Sequence, residues 1–235
     1  MKVRIKFSKV GPVKFVGHLD TMRYFQKAIR RAELPAAFSG GYSPHMIMSF
    51  ASPLGVGMES SGEYFDLELS RTVPTAEIKT RLNAVMAEGF HVESARQVED
   101  GKASKAMSLV AAADYSVQFR PGKEPSDEWK EKLAAFYAQP SITVLKKTKR
   151  SEKEVDIRPF IYELALTGDE IKMKLASASG NYTKPELVLD TFWQWLGEEP
   201  KPFAYQIRRL EVYAEKECGN GKCFVPLEEL GENVE

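Results

Sequence analysis

Apolar and polar residues alternate from the start of the chain. Val3, Ile5 and Phe7 fall on one side and Arg4, Lys6 and Ser8 on the other, the period-two signature of a half-buried strand. Gly11-Pro12 turns that strand, a short apolar piece runs from Val13 to Val16, and Gly17-His18-Leu19 leads to Asp20, a residue type suited to a helix N-cap. The period then changes: Met22, Phe25, Ala28, Ile29 and Ala32 recur at helical spacing and predict a helix over 21–32 with one apolar face. Its other face carries Arg23, Lys27, Arg30 and Arg31 and no acid. Pro35 ends it, and a turn-rich passage through Gly40-Gly41 and Tyr42-Ser43-Pro44 leads to an apolar piece at 46–51, followed by a loop punctuated by Gly55, Gly57 and Gly62.

Alternation returns in EYFDLELS, residues 63–70, predicting a second strand. Thr75 opens a helix whose Ile78, Leu82, Val85 and Met86 share a face and which Gly89 closes, and Phe90 to Val98 reads as a further strand. The remainder repeats that order. Tyr115 to Arg120 alternates, and Ser126 is placed to cap a helix bearing Trp129, Leu133, Phe136 and Tyr137, with Asp127 and Glu128 near its positive end. Residues 142–149, 155–167 and 171–177 are strand-like; Thr183-Lys184-Pro185-Glu186 spells a capping box before a helix through Phe192, Trp195 and Leu196; Tyr205 to Ala214 supplies the last strand.

Strand, helix, strand, strand, helix, strand, taken twice, is the split βαβ order. The expected fold is therefore α+β: two tandem ferredoxin-like (βαββαβ) domains with antiparallel sheets. Periodicity lapses in the polar stretch EDGKASKAMS, residues 99–108, so the boundary is expected there, giving domains 1–103 and 104–235.

Composition narrows the class. The 235 residues, 43% hydrophobic and 28% charged, are ordinary for a folded chain with enough apolar surface to offset ordering entropy. No run approaches the length of a membrane span and the N-terminus lacks a signal-peptide core, so a cytoplasmic protein without membrane contact is expected. The two cysteines, Cys218 and Cys223, flank Gly219-Asn220-Gly221-Lys222 as a tight hairpin turn would. They suit a reducing compartment and are too few for a thiolate zinc site. No metal and no cofactor is expected, and the oligomeric state is left open.

The 33 basic and 33 acidic residues cancel, but unevenly along the chain. Residues 1–50 hold Lys2, Arg4, Lys6, Lys9, Lys14, Arg23, Lys27, Arg30 and Arg31 against Asp20 and Glu33, and the last twenty residues are acid-rich. Local asymmetry is what a polyanion feels. Arg23, Lys27, Arg30 and Arg31, beside Lys14, form a candidate phosphate-binding face; the bland alternative is a solvated helix face. A second basic run, Lys146, Lys147, Lys149 and Arg150, falls in a predicted hairpin and is a further nucleic-acid-binding candidate that could clamp phosphates, although charge at a hairpin tip commonly serves solubility and edge protection. His18 and His45 lie in loops and could act as base and acid in cleaving RNA, histidine titrating near neutrality; alternatively they satisfy local backbone groups and pack beside Pro44. The glycines permit a phosphate nest but match neither the P-loop nor the dinucleotide fingerprint.

The long motif KFSKVGPVKFVGHLDTMRYFQKAIRRAELPAAFSGGYSPHMIMSFASPLGVGMESSGEYFD, with DIRP at 156–159 and GNYTKPELVLD at 180–190, resembles the uncharacterised radical-SAM-linked protein family across nearly the whole chain. Members are fused to, or encoded beside, radical SAM proteins, and are associated with ribonuclease and ribosomal-protein genes. The resemblance implies an accessory role near RNA metabolism and makes Gly40, Gly41, Tyr42, Ser43, Pro44, Gly57, Ser60 and Glu63 a candidate loop or ligand site. Radical SAM chemistry needs three closely spaced cysteines for its cluster, which this sequence lacks, so the radical SAM protein is expected as a partner in trans. The paired ferredoxin-like order is also similar in outline to CRISPR repeat-processing endoribonucleases. The leading expectation is an RNA-binding accessory protein; the rivals are a metal-independent endoribonuclease using His18 and a protein-only adaptor contacting its partner through residues 41–57.

Overall fold

In a computed structural model that describes residues 1–101, 104–126, 128–147, 152–219 and 221–235, the opening alternation becomes β1 (Lys2–Lys9) and the first helical period becomes α1 (His18–Arg31). Then come β2 (Met48–Phe50), β3 (Glu59–Glu68), α2 (Thr75–Asn83), β4 (Phe90–Val98), α3 (Ala106–Leu109) and β5 (Val110–Phe119). They are followed by α4 (Trp129–Tyr137), β6 (Thr143–Lys147), β7 (Glu152–Asp156), β8 (Ile161–Thr167), β9 (Glu170–Ala176), α5 (Pro185–Trp195), β10 (Tyr205–Cys218) and β11 (Gly221–Pro226). The architecture is mixed α+β with mostly antiparallel sheet.

Two units are distinguished: Met1–Ala111 with Arg209–Glu235, and Ala112–Arg208. The expected division at 103/104 into contiguous domains is corrected twice. The first cut falls at Ala111/Ala112, and the last 27 residues belong with the N-terminal unit. Specific bonds hold that tail: Arg4 Nη1 donates to the Leu227 carbonyl (3.1 Å), Lys6 Nζ to Glu228 (2.6 Å), and the Glu232 and Thr75 amides to the carbonyls of Gln97 and Val234.

In the first unit the strand order is β4-β1-β3, with β2 and β10 both paired to β3. β1 runs antiparallel to β3 and β4. Val3, Ile5 and Phe7 pack with Phe25 and Ile29 of α1 and with Ile78 and Leu82 of α2. The centre is aromatic: Phe7 lies 4.5 Å from Phe25, Phe25 lies 4.9 Å from Phe65, and Phe50 stacks on Phe65 at 5.2 Å. Truncating such a buried ring to alanine costs about 3–5 kcal/mol. Gly62, read as a loop glycine, lies inside β3, where a Cβ would stand 2.6 Å from the Leu210 carbonyl oxygen; only glycine lets these backbones approach so closely.

In the second unit β9 lies between β5 and β8, β10 is divided by the boundary after Arg208, and β6 and β7 form a separate antiparallel pair. Phe119 sits between Trp129 (5.0 Å) and Trp193 (6.2 Å), and Phe136 of α4 meets Phe192 of α5 at 5.2 Å. The DIRP motif anchors the root of the β6–β7 hairpin. One Asp156 oxygen accepts from the amides of Ile142 (2.8 Å) and Arg158 (2.9 Å). Arg158 lies 4.1 Å over the Tyr137 ring and donates to the carbonyls of Tyr137 and Ile161. That motif breaks the strand expected over 155–167 in two, with a 3-10 turn at Arg158–Phe160.

Several expected caps are corrected as well. Gly17 is the N-cap of α1, and Asp20 lies in its first turn. Glu128 caps α4, whose Trp129 amide bonds to the Ser126 carbonyl and not its hydroxyl; Asp127 lies outside the described residues. Lys184 occupies the N-cap position of α5 without a side-chain capping bond, and the buried Thr183 hydroxyl donates instead to the Asn181 carbonyl. Helix α2 ends at Asn83, well short of Gly89. Cys218 and Cys223, expected as thiols, are joined as a disulfide across the β10–β11 hairpin.

Candidate nucleic-acid interface

The strand register decides which N-terminal cations are available. Lys2 stands opposite Glu68, Arg4 opposite Asp66 and Lys6 opposite Tyr64 on β3, so the polar parity of β1 faces the acidic parity of EYFDLE. Arg4 makes two bonds to the Asp66 carboxylate (2.9 and 3.3 Å), and Lys2 Nζ lies 3.6 Å from the same group. Lys6 Nζ bridges Glu211 and Glu228 at 2.6 Å each; Tyr64 donates to Glu211 and Ser94 to Glu228. Burial alone would lower the pKa of Lys6, but the two carboxylates raise it above the ordinary lysine value. Burial would likewise raise Glu228, yet the bonds from Lys6 and Ser94 hold it below the usual carboxylate range. Burial, then the charge of Glu211 and the bond to it, pushes the Tyr64 phenol well up. Lys9 is buried, donating to the Val16 carbonyl at 2.6 Å. The strand-borne half of the basic surplus is thus consumed inside the first unit.

The helix-borne half is not. Arg23, Lys27, Arg30 and Arg31 are all exposed along α1. Arg23 pairs with Asp20 at 3.0 Å, so the expectation of a face without acid is corrected; two charges this exposed gain little from pairing. Arg31 lies 5.9 Å over the Tyr24 ring and donates to the Val85 carbonyl. The side chains of Lys27 and Arg30 have no hydrogen-bond or ion-pair partner among the described residues. Lys14, half-buried, bonds to Glu59 at 3.2 Å.

The remaining candidates are dispersed. His18, the first residue of α1, presents its ring edge-on to Phe50 at 5.3 Å, whereas His45 Nδ1 meets the Ser39 hydroxyl at 2.8 Å. No bond or ring contact joins the two histidines among the described residues. Gly40, Gly41, Tyr42, Ser43 and Pro44 form an exposed turn closed by the Phe38–Met46 bridge. Beside it a cavity of about 190 Å³ is lined by residues including Lys2, His45, Ser49, Glu68 and Lys105. Gly57, at φ +90°, donates its amide to the Lys14 carbonyl (2.9 Å). Ser60 and Glu63 lie within β3 and are buried: the Ser60 hydroxyl accepts from the Gly62 amide, and Glu63 binds Arg209 through two bonds of 2.8 and 2.6 Å. Lys146 and Lys147 have their backbone in β6 of the second unit, and Lys149 and Arg150 lie outside the described residues.

Three exposed apolar residues escaped the sequence reading. Phe15 is 66% exposed, Leu19 59% and Val56 66%. Phe15 ends the 3-10 turn Gly11–Phe15 that precedes α1, and Lys14 Nζ lies 5.7 Å over its ring. Within α1 the signal was present in the spacing, Leu19, Arg23 and Lys27 recurring every fourth residue, whereas Phe15 stands before the helix and carried none. Among the described residues no group of three or more His, Cys, Asp and Glu side chains is placed to hold a metal, and no helix is long and apolar enough to cross a membrane.

A family model described as an uncharacterized protein conserved in bacteria (DUF2344) matches residues 2–185. No curated protein matches the chain. Among solved structures, one described as "Crystal Structure of a Cbf5-Nop10-Gar1 Complex" is similar at a TM-score of 0.44 and 12% identity, over 89% of this chain. The chain spans about half of that structure's chain, 48%.

Proposed function

We propose, for a chain that belongs to the DUF2344 family of uncharacterized bacterial proteins, that it is an RNA-binding accessory protein which presents RNA to a separate radical SAM enzyme. The observation that carries the RNA part is the exposed edge of α1, where Lys27 and Arg30 have no carboxylate partner among the described residues and Arg31 lies exposed over Tyr24. Cations four residues apart advance by about 6 Å along a helix and can follow a phosphate chain, each contact releasing a counterion. The radical SAM partner is carried over from the sequence resemblance, as is the RNA-processing setting. We read the two halves as ferredoxin-like units, a reading supported by the order β4-β1-β3-β2 in the first and β5-β9-β8 in the second.

Filter binding of the purified protein to tRNA, rRNA fragments and short single strands tests the RNA reading. Affinity should fall steeply with salt, and Lys27→Ala and Arg30→Ala should each reduce the slope of log K against log salt by about one. Binding that is absent, or indifferent to salt, overturns the reading.

A further inference from the structure

We propose that the RNA bound along α1 is single-stranded and that an unpaired base stacks on Phe15. This rests on the RNA reading above and adds to it the substrate class and the residue that selects it. Phe15 is two-thirds exposed, and Leu19 and Val56 are exposed as well, which gives apolar surface beside the cations of α1. The polypeptide holds Phe15 rigidly out: the Lys14 carbonyl accepts from the Gly57 amide at 2.9 Å, and Glu59 bonds both the Lys14 ammonium (3.2 Å) and the Gly11 amide (3.1 Å). Three bonds therefore fix the short turn that carries Phe15. Beyond that turn and the extended pair Val16-Gly17, α1 begins, and Leu19, Arg23, Lys27 and Arg30 follow along it at steps of four, four and three residues, so the aromatic ring precedes the start of a row that ends in cations. Val56, next to Gly57, adds exposed apolar surface beside the turn.

Such an arrangement discriminates between nucleic-acid forms. In a duplex the bases are paired and stacked within the helix, and the ring would face only sugar and phosphate. An unpaired strand can lay its phosphates along Arg23, Lys27 and Arg30 and turn a base onto Phe15, a contact tolerant of sequence because every base has a π-face.

Fluorescence anisotropy with labelled oligouridine and with a blunt hairpin of the same length separates the possibilities. Wild-type protein should prefer oligouridine. Phe15→Ala should weaken oligouridine by about 5- to 150-fold and leave the hairpin unchanged, and Phe15→Trp should restore binding with its emission quenched by the strand. Phe15 is exposed, so neither variant should disturb folding, which circular dichroism checks. Equal binding of the two probes, or a Phe15→Ala protein that binds oligouridine as wild type does, overturns the stacking inference while salt-dependent binding keeps the RNA reading. Absence of binding to both probes removes the RNA reading and this inference with it.

Discussion

Replacing Glu63 by glutamine removes one charge from a buried ion pair. Glu63 and Arg209 have side chains 4% and 2% exposed and share two bonds of 2.8 and 2.6 Å; the second Arg209 donor also reaches the Ser52 carbonyl at 3.1 Å. Glutamine keeps the shape and one acceptor but leaves the guanidinium uncompensated. It also strips a second buried cation of support: burial lowers the pKa of Lys9, and the Glu63 charge is what opposes that shift. Breaking one side of a buried pair costs about 3–5 kcal/mol, a large share of the roughly 5–15 kcal/mol that separates folded from unfolded in a typical domain. Denaturant titration by circular dichroism should therefore show Glu63→Gln with a much lower midpoint, and hydrogen exchange should speed up in β3 and β10. The double variant Glu63→Leu/Arg209→Met should recover most of the loss, since two apolar side chains replace two charges. A Glu63→Gln protein within about 1 kcal/mol of wild type, or a double variant no better than the single, would refute the view that Glu63 is internal scaffolding and return it to the ligand-binding candidates.

Four further outcomes follow from the same geometry. Because the folded-state pKa of Glu228 is depressed, its contribution to stability is present above its ordinary value and fades as pH falls through the lowered one. Lys6, whose pKa is raised, contributes below the ordinary lysine value and loses that contribution only as pH climbs through the raised one; Glu228→Gln should flatten the acid side of a stability-against-pH curve. Gly62→Ala forces a methyl against the Leu210 carbonyl and should cost about 1–3 kcal/mol, read as a lowered thermal midpoint. Asp156→Ala removes two amide partners at the hairpin root and should raise hydrogen exchange at the Ile142 and Arg158 amides, with β1 and β3 unaffected. With His18 against Phe50 and His45 against Ser39, RNA incubated with the protein in EDTA should stay intact; cleavage that His18→Ala abolishes would reverse that expectation.

Element order was legible where an element has a clean period, and α3 (Ala106–Leu109) and β11 (Gly221–Pro226), which have none, were not. The alternation of Val3, Ile5 and Phe7 and the helical recurrence of Phe25, Ala28 and Ile29 each point at one core, and the structure buries all six. Caps were less legible, since Ser126 and Thr183 could spell a cap without being free to make one. The discontinuous unit was beyond the sequence: what returns residues 209–235 to the first unit is Glu228 on Lys6 and the Leu227 carbonyl on Arg4, contacts more than 200 residues apart. The DIRP motif was visible as residues but not as a device, because its work is done on Tyr137 and Ile142, outside the motif.

The same periodicities explain why counting charges overstated the basic face. A cation on a strand occupies a parity, and its neighbours across the sheet share that parity; Arg4 meets Asp66 because alternation in VRIKF and in EYFDLE fixes both on one side. A cation on the outer face of an amphipathic helix has no such neighbour imposed on it, only residues three or four away in its own sequence. Around Lys27 those positions hold Arg23, Tyr24, Arg30 and Arg31, with no acid among them. The cations of β1 are accordingly spent on folding while Lys27 and Arg30 of α1 are left to solvent, which is why, of the nine cations in residues 1–50, those two are the variants that test the polyanion-binding proposal.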